Sequence, residues 1–248
     1  MTDQAELTQK MVEAGMHIGV RRFLVHPKMR KFIFTYKENL ALINLGKTAE
    51  LWDKFFEELQ TLVIAKKTIL YLGTHPAAKT LVGQMGEELS VPYMTSRWLG
   101  GTLTNFSTFK TRLDHLKDLQ AKANTPEFAK YTKKEQIQMM EEANEIKEKF
   151  DGLVRLNALP EALFVFCGRK HRTAIIEAKR MKIPVFGVFC LDDNWDDAAH
   201  CLVVNDNAQT SLAMIIDKVR EIHKQNTKMP AESVPEKADD SAAPPLSA

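Results

Sequence analysis

Residues 73–80 come closest to a phosphate-binding loop, because a glycine turn precedes a lysine and a threonine at the start of a predicted helix. A competent loop has a second glycine directly before the lysine, where this sequence has Ala78. Pro76 also removes one of the backbone N–H donors that such a loop directs at phosphate oxygens. The sequence therefore favours a proline-started helix with an exposed Lys79 over a nucleotide-binding site.

A second group of residues has side chains that bind zinc, and it comprises Cys167, His171, Cys190, His200 and Cys201. These residues contain no C-x-x-C pair, and free cysteine is common in protein cores. No serine or cysteine has an identifiable base partner. Four aspartates at 192, 193, 196 and 197 are typical of a solvated loop. We therefore predict no metal, no cofactor and no catalytic residue.

The cations are better organised than these catalytic types. Residues 16–37 contain six cations and no acid, interleaved with Phe23, Phe32, Phe34 and Tyr36; the cations are Arg21, Arg22, Lys28, Arg30, Lys31 and Lys37. Cations release counterions from phosphates, and aromatic faces stack on unpaired bases. A second basic group, residues 169–172, lies at a strand-to-helix turn, where a helix N-terminus favours phosphate. Each group could equally be a solvated basic loop.

Residues 97–105 combine an arginine and a tryptophan with two adjacent glycines. The glycines allow close backbone approach or a positive φ. Arg97 could hold a phosphate and Trp98 could stack on a base, or Trp98 could lie in the core beside a plain turn. The residues alone leave these two interpretations balanced.

The composition is that of an ordinary globular protein, with 44% hydrophobic and 27% charged residues over 248 positions. The formal net charge is +2, so binding to nucleic acid depends on where the charges lie. Three cysteines in apolar runs predict reduced thiols. No apolar run approaches the roughly 18 residues of a membrane helix, and the acidic N-terminus has no signal-peptide core. We expect a protein of the cytoplasm or of an organelle, without membrane contact.

Strand and helix patterns alternate along most of the chain. Apolar runs predict buried strands at residues 68–72, 91–94, 162–167, 183–190 and 201–204. Helical periodicity predicts helices at residues 3–14, 47–66, 76–89, 172–181 and 207–224. Runs at 32–36 and 40–44 predict a β-hairpin. This order predicts an α/β fold, a parallel-sheet sandwich with right-handed crossovers.

Residues 104–157 interrupt the alternation with two helical arms. Apolar residues recur at spacings of three and four at Phe106, Phe109, Leu113 and Leu116, and again at Met139, Ala143, Ile146, Phe150 and Leu153. Residues 124–126 break the chain, and Thr132 with Glu135 forms a predicted capping box. We predict an inserted antiparallel helical (coiled-coil) hairpin at 104–157, an α/β globular domain at 1–103 and 158–225, and a disordered tail at 226–248.

Several blocks resemble one known family. Arg97-Trp98-Leu99-Gly100-Gly101-Thr102-Leu103-Thr104-Asn105 resembles the signature of the second protein of the small ribosomal subunit, in its bacterial or organellar form. Further blocks occur in the family's order at residues 14–19, 27–29, 32–34, 43–48, 159–165 and 183–186. The resemblance covers residues 5 to about 222.

The resemblance implies a flavodoxin-like domain with a protruding coiled-coil hairpin, located between head and body of the small subunit. It implies a structural constituent of the ribosome that binds rRNA, supports translation and catalyses nothing. The implied partners are rRNA, other small-subunit proteins and, in many bacteria, the large mRNA-binding ribosomal protein.

Ten residues are therefore predicted to bind RNA, namely Arg21, Arg22, Lys28, Arg30, Lys31, Arg97, Trp98, Arg169, Lys170 and Arg172. Two other classes remain as alternatives. A flavodoxin-like enzyme or nucleotide-binding regulator would need the phosphate loop that Ala78 and Pro76 argue against. A scaffold outside the ribosome would dimerise through the helical hairpin.

Overall fold

The structure is a computed structural model that describes residues 2–123 and 132–227. Its elements in chain order are α1 (Thr2–Glu13), β1 (Ile18–Arg21), β2 (Ile33–Lys37), β3 (Leu40–Ile43), α2 (Leu45–Ile64), β4 (Ile69–Leu72), α3 (Pro76–Leu89), β5 (Tyr93–Met94), α4 (Phe106–Ala123), α5 (Lys133–Phe150), β6 (Ala162–Phe166), α6 (Arg172–Arg180), β7 (Val185–Phe189), β8 (His200–Val203) and α7 (Gln209–Thr227).

A parallel sheet of five strands, in the order β5-β4-β6-β7-β8, forms the centre of the described fold. Its central strands are buried on both faces, which explains their continuous apolar runs. Successive side chains point to opposite faces, so Tyr71 and Phe164 pack with α2, α3 and α7 on one side, whereas Leu70 and Leu163 pack with α6 on the other. The predicted α/β sandwich is confirmed.

A smaller antiparallel sheet, in the order β1-β3-β2, lies on the second of these faces, where Ala41 and Ile43 are buried. Its β2–β3 connection is the predicted hairpin. Glu38 and Asn39 both have positive φ, 48° and 67°, as a two-residue type I′ turn requires. The strand β1 was not predicted, because Ile18-Gly19-Val20-Arg21 has neither an apolar run nor a clear alternation.

The helices α4 and α5 lie side by side and antiparallel. The rings of Phe109 and Phe150 are 5.0 Å apart near the globular part, and His115 contacts Glu142 at 3.1 Å further out. Glu135 accepts from the Thr132 N–H at 2.9 Å, so the predicted capping box is present. A coiled-coil geometry stays a prediction, and residues 124–131 and the side chain of Ile146 lie outside the described residues.

The base of this helix pair belongs to the main core. Phe109, Leu113, Phe150 and Leu153 are buried in the same apolar cluster as the sheet residues Leu70 and Leu163. The inserted helices are therefore anchored by shared packing, and their treatment as a separate domain remains a prediction. At the other end of the chain, α7 continues through Thr227, so its last two residues fall within the predicted tail at 226–248. Residues 228–248 lie outside the described part. Among the described helices, none is long and apolar enough to cross a membrane.

Candidate RNA-binding surface

One buried carboxylate holds the segment at residues 97–105, which follows β5 and leads into α4. Glu177 of α6 is 6% exposed and accepts four hydrogen bonds from this segment. Its Oε1 accepts from the Trp98 indole Nε1–H at 3.1 Å and from the Gly101 N–H at 2.9 Å. Its Oε2 accepts from the N–H groups of Leu103 and Thr104, at 3.1 and 3.4 Å. Gly101 has φ of +92°, the conformation that aims its N–H at the carboxylate.

The charge of Glu177 is maintained by these donors. Burial raises the pKa of the carboxyl, but the hydrogen bonds from Gly101, Trp98, Leu103 and Thr104 outweigh burial and lower the pKa overall. Trp98 is half-buried and packs against the core, so its indole has a structural role. Arg97 is exposed at the start of the same segment. Glu177 therefore fixes the backbone from which Arg97 projects.

The crevice between β4 and β6 is where parallel α/β proteins bind ligands, because the chain crosses to opposite sides of the sheet there. In this protein His171 fills that crevice and is buried. Its Nε2 lies 2.9 Å from Thr74 Oγ1, and its Nδ1 lies 2.9 Å from the carbonyl oxygen of Cys167. Burial lowers the pKa of His171, which favours the neutral ring. The usual nucleotide position is therefore occupied by a side chain.

The phosphate-loop-like segment is an ordinary helix start. Pro76 is the first residue of α3, and His75 caps the helix by accepting from the Ala77 N–H at 3.4 Å. Lys79 is exposed. An N–H that a phosphate would need is thus satisfied within the chain.

The loop at residues 192–197 contacts two of the predicted RNA-binding groups. Trp195 stacks on Phe32 with ring centroids 4.8 Å apart, and the Lys31 ammonium lies 4.2 Å from the Trp195 ring centroid. Lys28 forms an ion pair with Asp196. Arg169 forms an ion pair with Asp192 at 2.9 Å. The acidic loop therefore holds part of the N-terminal basic segment next to the basic turn that follows β6.

The predicted RNA-binding residues thus fall into two sets. Lys28 and Arg169 are ion-paired, and Lys31 lies on Trp195. The second set forms no ion pair with an acidic side chain among the described residues; it comprises Arg21, Arg22, Arg30, Arg97, Lys170 and Arg172. All six are exposed. These six can contact phosphates without breaking an ion pair with an acidic side chain, although the Arg22 guanidinium also lies 4.9 Å from the Tyr36 ring centroid.

Two buried acids lie behind this surface. Asp193 is 3% exposed; its Oδ2 accepts from the Cys190 N–H at 2.9 Å, whereas its Oδ1 has no partner among the described residues. Burial and the nearby Asp206 raise the pKa of Asp193 to about 7. Burial raises the pKa of Asp206 to about 6. Folding therefore shifts both carboxyl groups toward the protonated form relative to the unfolded chain.

This pair makes stability depend on pH in a definite direction. Because the folded pKa of Asp193 lies above its unfolded value, the native state holds the proton more tightly. The stabilisation that Asp193 contributes should therefore be lost as pH rises from about 4 through 7. Asp193→Asn should raise the free energy of unfolding by on the order of 2–4 kcal/mol at pH 8 and by much less at pH 5. Urea unfolding at both pH values measures this, with the exposed Asp53→Asn as control. An equal increase in the free energy of unfolding at both pH values would contradict the raised pKa of Asp193.

The three cysteines are buried free thiols. Burial raises the pKa of Cys167, Cys190 and Cys201, so all three favour the protonated thiol over the metal-binding thiolate. Within the described residues, no three His, Cys, Asp or Glu side chains are grouped so as to hold a metal ion. The three cysteines therefore pack in the core as protonated thiols.

Glu177 was missed from the sequence, although a signal existed. Ala174, Ile175 and Ala178 form the buried stripe of α6, and Glu177 lies within that stripe. A carboxylate on a buried helix face needs donors, so its position predicts a buried hydrogen-bond centre. The sequence does not reveal that the donors lie more than 70 residues earlier in the chain.

An α/β domain with a basic, aromatic-bearing surface and an occupied ligand crevice has the features of a structural RNA-binding protein. The comparisons with known proteins agree with that class. The family model "Ribosomal protein S2" matches residues 11–225. Two curated relatives, both "Small ribosomal subunit protein uS2" and from two strains of Thermus thermophilus, are each 33% identical over 214 residues. The aligned region covers 86% of this chain and 84% of each relative.

The chain belongs to the ribosomal protein S2 family. It is a structural, non-enzymatic protein of the small ribosomal subunit, as the sequence blocks predicted. A flavodoxin-like enzyme or nucleotide-binding regulator is not favoured. As a ribosomal protein it has rRNA and other ribosomal proteins as partners.

Proposed function

We propose that this protein binds small-subunit rRNA through one basic surface, made of residues 21–31, Arg97 with Trp98, and residues 169–172. The observation that carries the proposal is that six of the nine predicted RNA-binding cations are exposed and have no acidic partner among the described residues, since unpaired cations gain most from phosphate contacts. Lys28, Lys31 and Arg169 lie beside these six and contact the loop at residues 192–197.

Phosphate contacts are also expected at the turn after β6. Lys170 and Arg172 lie where α6 begins, so the helix N-terminus adds favourable partial charge. Lys170 also lowers the pKa of the neighbouring His75 and His171, although burial is the larger cause for both. The positive charge of Lys170 is therefore felt by both histidines at the ends of β4 and β6.

The helix pair α4 and α5 is proposed as a second contact surface within the small subunit, for rRNA or a neighbouring small-subunit protein. The family resemblance also suggests recruitment of the large mRNA-binding ribosomal protein. We propose a cytoplasmic ribosome as the location, with an organellar ribosome as the alternative.

Sedimentation tests the proposed function as a whole. A lysate containing the tagged full chain is run through a sucrose gradient in low-magnesium buffer, which separates the subunits. The protein should co-migrate with small subunits. A protein found wholly in the soluble fractions at the top of the gradient would refute the proposal.

A further inference from the structure

Exposed aromatic rings are concentrated on the small antiparallel sheet and the segment beside it. Phe23 is 76% exposed, Phe34 is 73% exposed and Tyr36 is 40% exposed. In the described part of the chain these are the aromatic side chains with large exposure, whereas aromatic rings in the parallel sheet, such as Phe164, are buried. Three such rings within 14 residues are costly to leave in water, so they indicate a contact.

A cleft of ≈ 840 Å³ lies beside Phe23, and it is lined by Arg21, Arg22, Phe23, Glu38, Asn39 and Leu40. The Arg22 N–H donates to the carbonyl oxygen of Asn39 at 2.8 Å, which fixes the segment bearing Phe23 to the hairpin turn. The Arg22 guanidinium lies 4.9 Å from the Tyr36 ring centroid. The segment that bears Phe23 is therefore attached to the hairpin, and the Arg22 guanidinium lies on Tyr36, before any partner binds.

Positive charge exceeds negative charge around the cleft. The lining carries two arginines and one acid, and Lys37 extends the positive charge along β2. Protein interfaces also favour aromatic and arginine residues, but they are depleted in lysine, whereas this hairpin carries Lys37. Cations beside open ring faces match a polyanion with exposed bases.

We propose that this hairpin surface, comprising Arg21, Arg22, Phe23, Phe34 and Tyr36, binds unpaired nucleotides of RNA by stacking bases on its rings. The inference rests on the proposed rRNA-binding function and adds the class of RNA that this part of the surface takes. In duplex RNA the bases are stacked on one another and the deep major groove is inaccessible to side chains, so duplex offers the rings no base face. The phosphates of the same strand contact Arg21 and Arg22.

The test compares ring removal with ring retention. Three proteins are compared: the wild-type chain, the double variant Phe23→Leu/Phe34→Leu and the double variant Phe23→Tyr/Phe34→Tyr. Each is titrated into a fluorescein-labelled, unstructured RNA single strand of about 12 nucleotides, a length within the usual site size, and into the RNA duplex of the same sequence. The wild-type protein should prefer the single strand. Each ring should account for roughly 5- to 150-fold in single-strand affinity, so the double leucine variant should bind at least about 25-fold more weakly than the wild type. The tyrosine variant should bind like the wild type, and duplex binding should be unchanged in all three.

Other outcomes overturn the inference in distinguishable ways. Equal affinity for single strand and duplex, no single-strand binding, or leucine variants that bind like the wild type would contradict stacking. Normal single-strand binding by a leucine variant that enters subunits poorly would assign the rings to a protein partner. In each case rRNA-dependent sedimentation with small subunits would leave the proposed function standing. All substituted rings are exposed, so circular dichroism melts should match and exclude misfolding.

Discussion

Replacing Glu177 with alanine should destabilise the protein by about 3–5 kcal/mol, the largest stability effect that we expect from one polar substitution. The substitution leaves four donors without an acceptor, the indole N–H of Trp98 and three backbone N–H groups of residues 101–104. Each buried unsatisfied donor costs roughly 1–3 kcal/mol, although water entering the cavity will offset part of the sum. Urea unfolding of the purified chain measures the loss.

Glu177→Gln distinguishes the charge from the shape. Glutamine keeps one carbonyl oxygen but turns an N–H₂ group toward two N–H donors, so we expect an intermediate loss of about 1–3 kcal/mol. Since the pKa of Glu177 is lowered by folding, its stabilisation is present above the unfolded pKa of about 4.5 and is lost as pH falls through the folded pKa. The difference in the free energy of unfolding between the wild type and Glu177→Gln should therefore become smaller as the pH falls through this range. The exposed Glu50→Ala is the control, and a variant of Glu177 no less stable than this control would contradict the assigned role.

Replacing Arg21, Arg22 and Arg30 together by glutamine should give the largest effect on RNA binding. If each arginine neutralises one phosphate, the salt dependence of log K should decrease by about 0.9 per residue. Three arginines change the slope by about 2.7. If the triple variant and the wild type bind equally at roughly 1 M salt, the variant should therefore bind on the order of 10²–10³-fold more weakly at about 0.1 M salt. Binding to small-subunit rRNA, measured over a series of salt concentrations, gives the slope and the affinity.

A matched control uses cations outside the proposed surface. Lys66 and Lys67 are exposed at the end of α2, and their double substitution by glutamine removes nearly the same charge. This control should change the slope little. The control removes two charges and the triple variant removes three, so if both lose affinity in proportion to charge, binding depends only on net charge and the proposed surface is wrong.

Much of the fold was predictable, because the strands β4, β6, β7 and β8 are short apolar runs and the helices between them have clear periodicity. Pro76 at a helix start and the box of Thr132 with Glu135 were also correctly predicted from local chemistry. Local sequence could not predict β1, since its pairing with β3 depends on residues up to 24 positions away, as between Ile18 and Leu42.

The candidate surface was predictable as a set of residue types but not as an arrangement. Sequence identified Arg21, Arg97 and Arg172 as candidates, yet gave no reason to separate them from Lys28 and Arg169. That separation depends on ion pairs with Asp196 and Asp192, which lie 168 and 23 residues away along the chain. The structural role of Trp98 was likewise hidden, because its partner Glu177 is 79 residues away.

The central claim is that rRNA lies against the basic surface of this protein, and ultraviolet crosslinking within intact small subunits tests it most directly. Peptides carrying crosslinked nucleotides, identified by mass spectrometry, should derive from residues 21–37, from the segment at 97–105 and from residues 169–172. Crosslinks confined to other surfaces of the protein, or no rRNA crosslink in subunits that contain it, would contradict the claim.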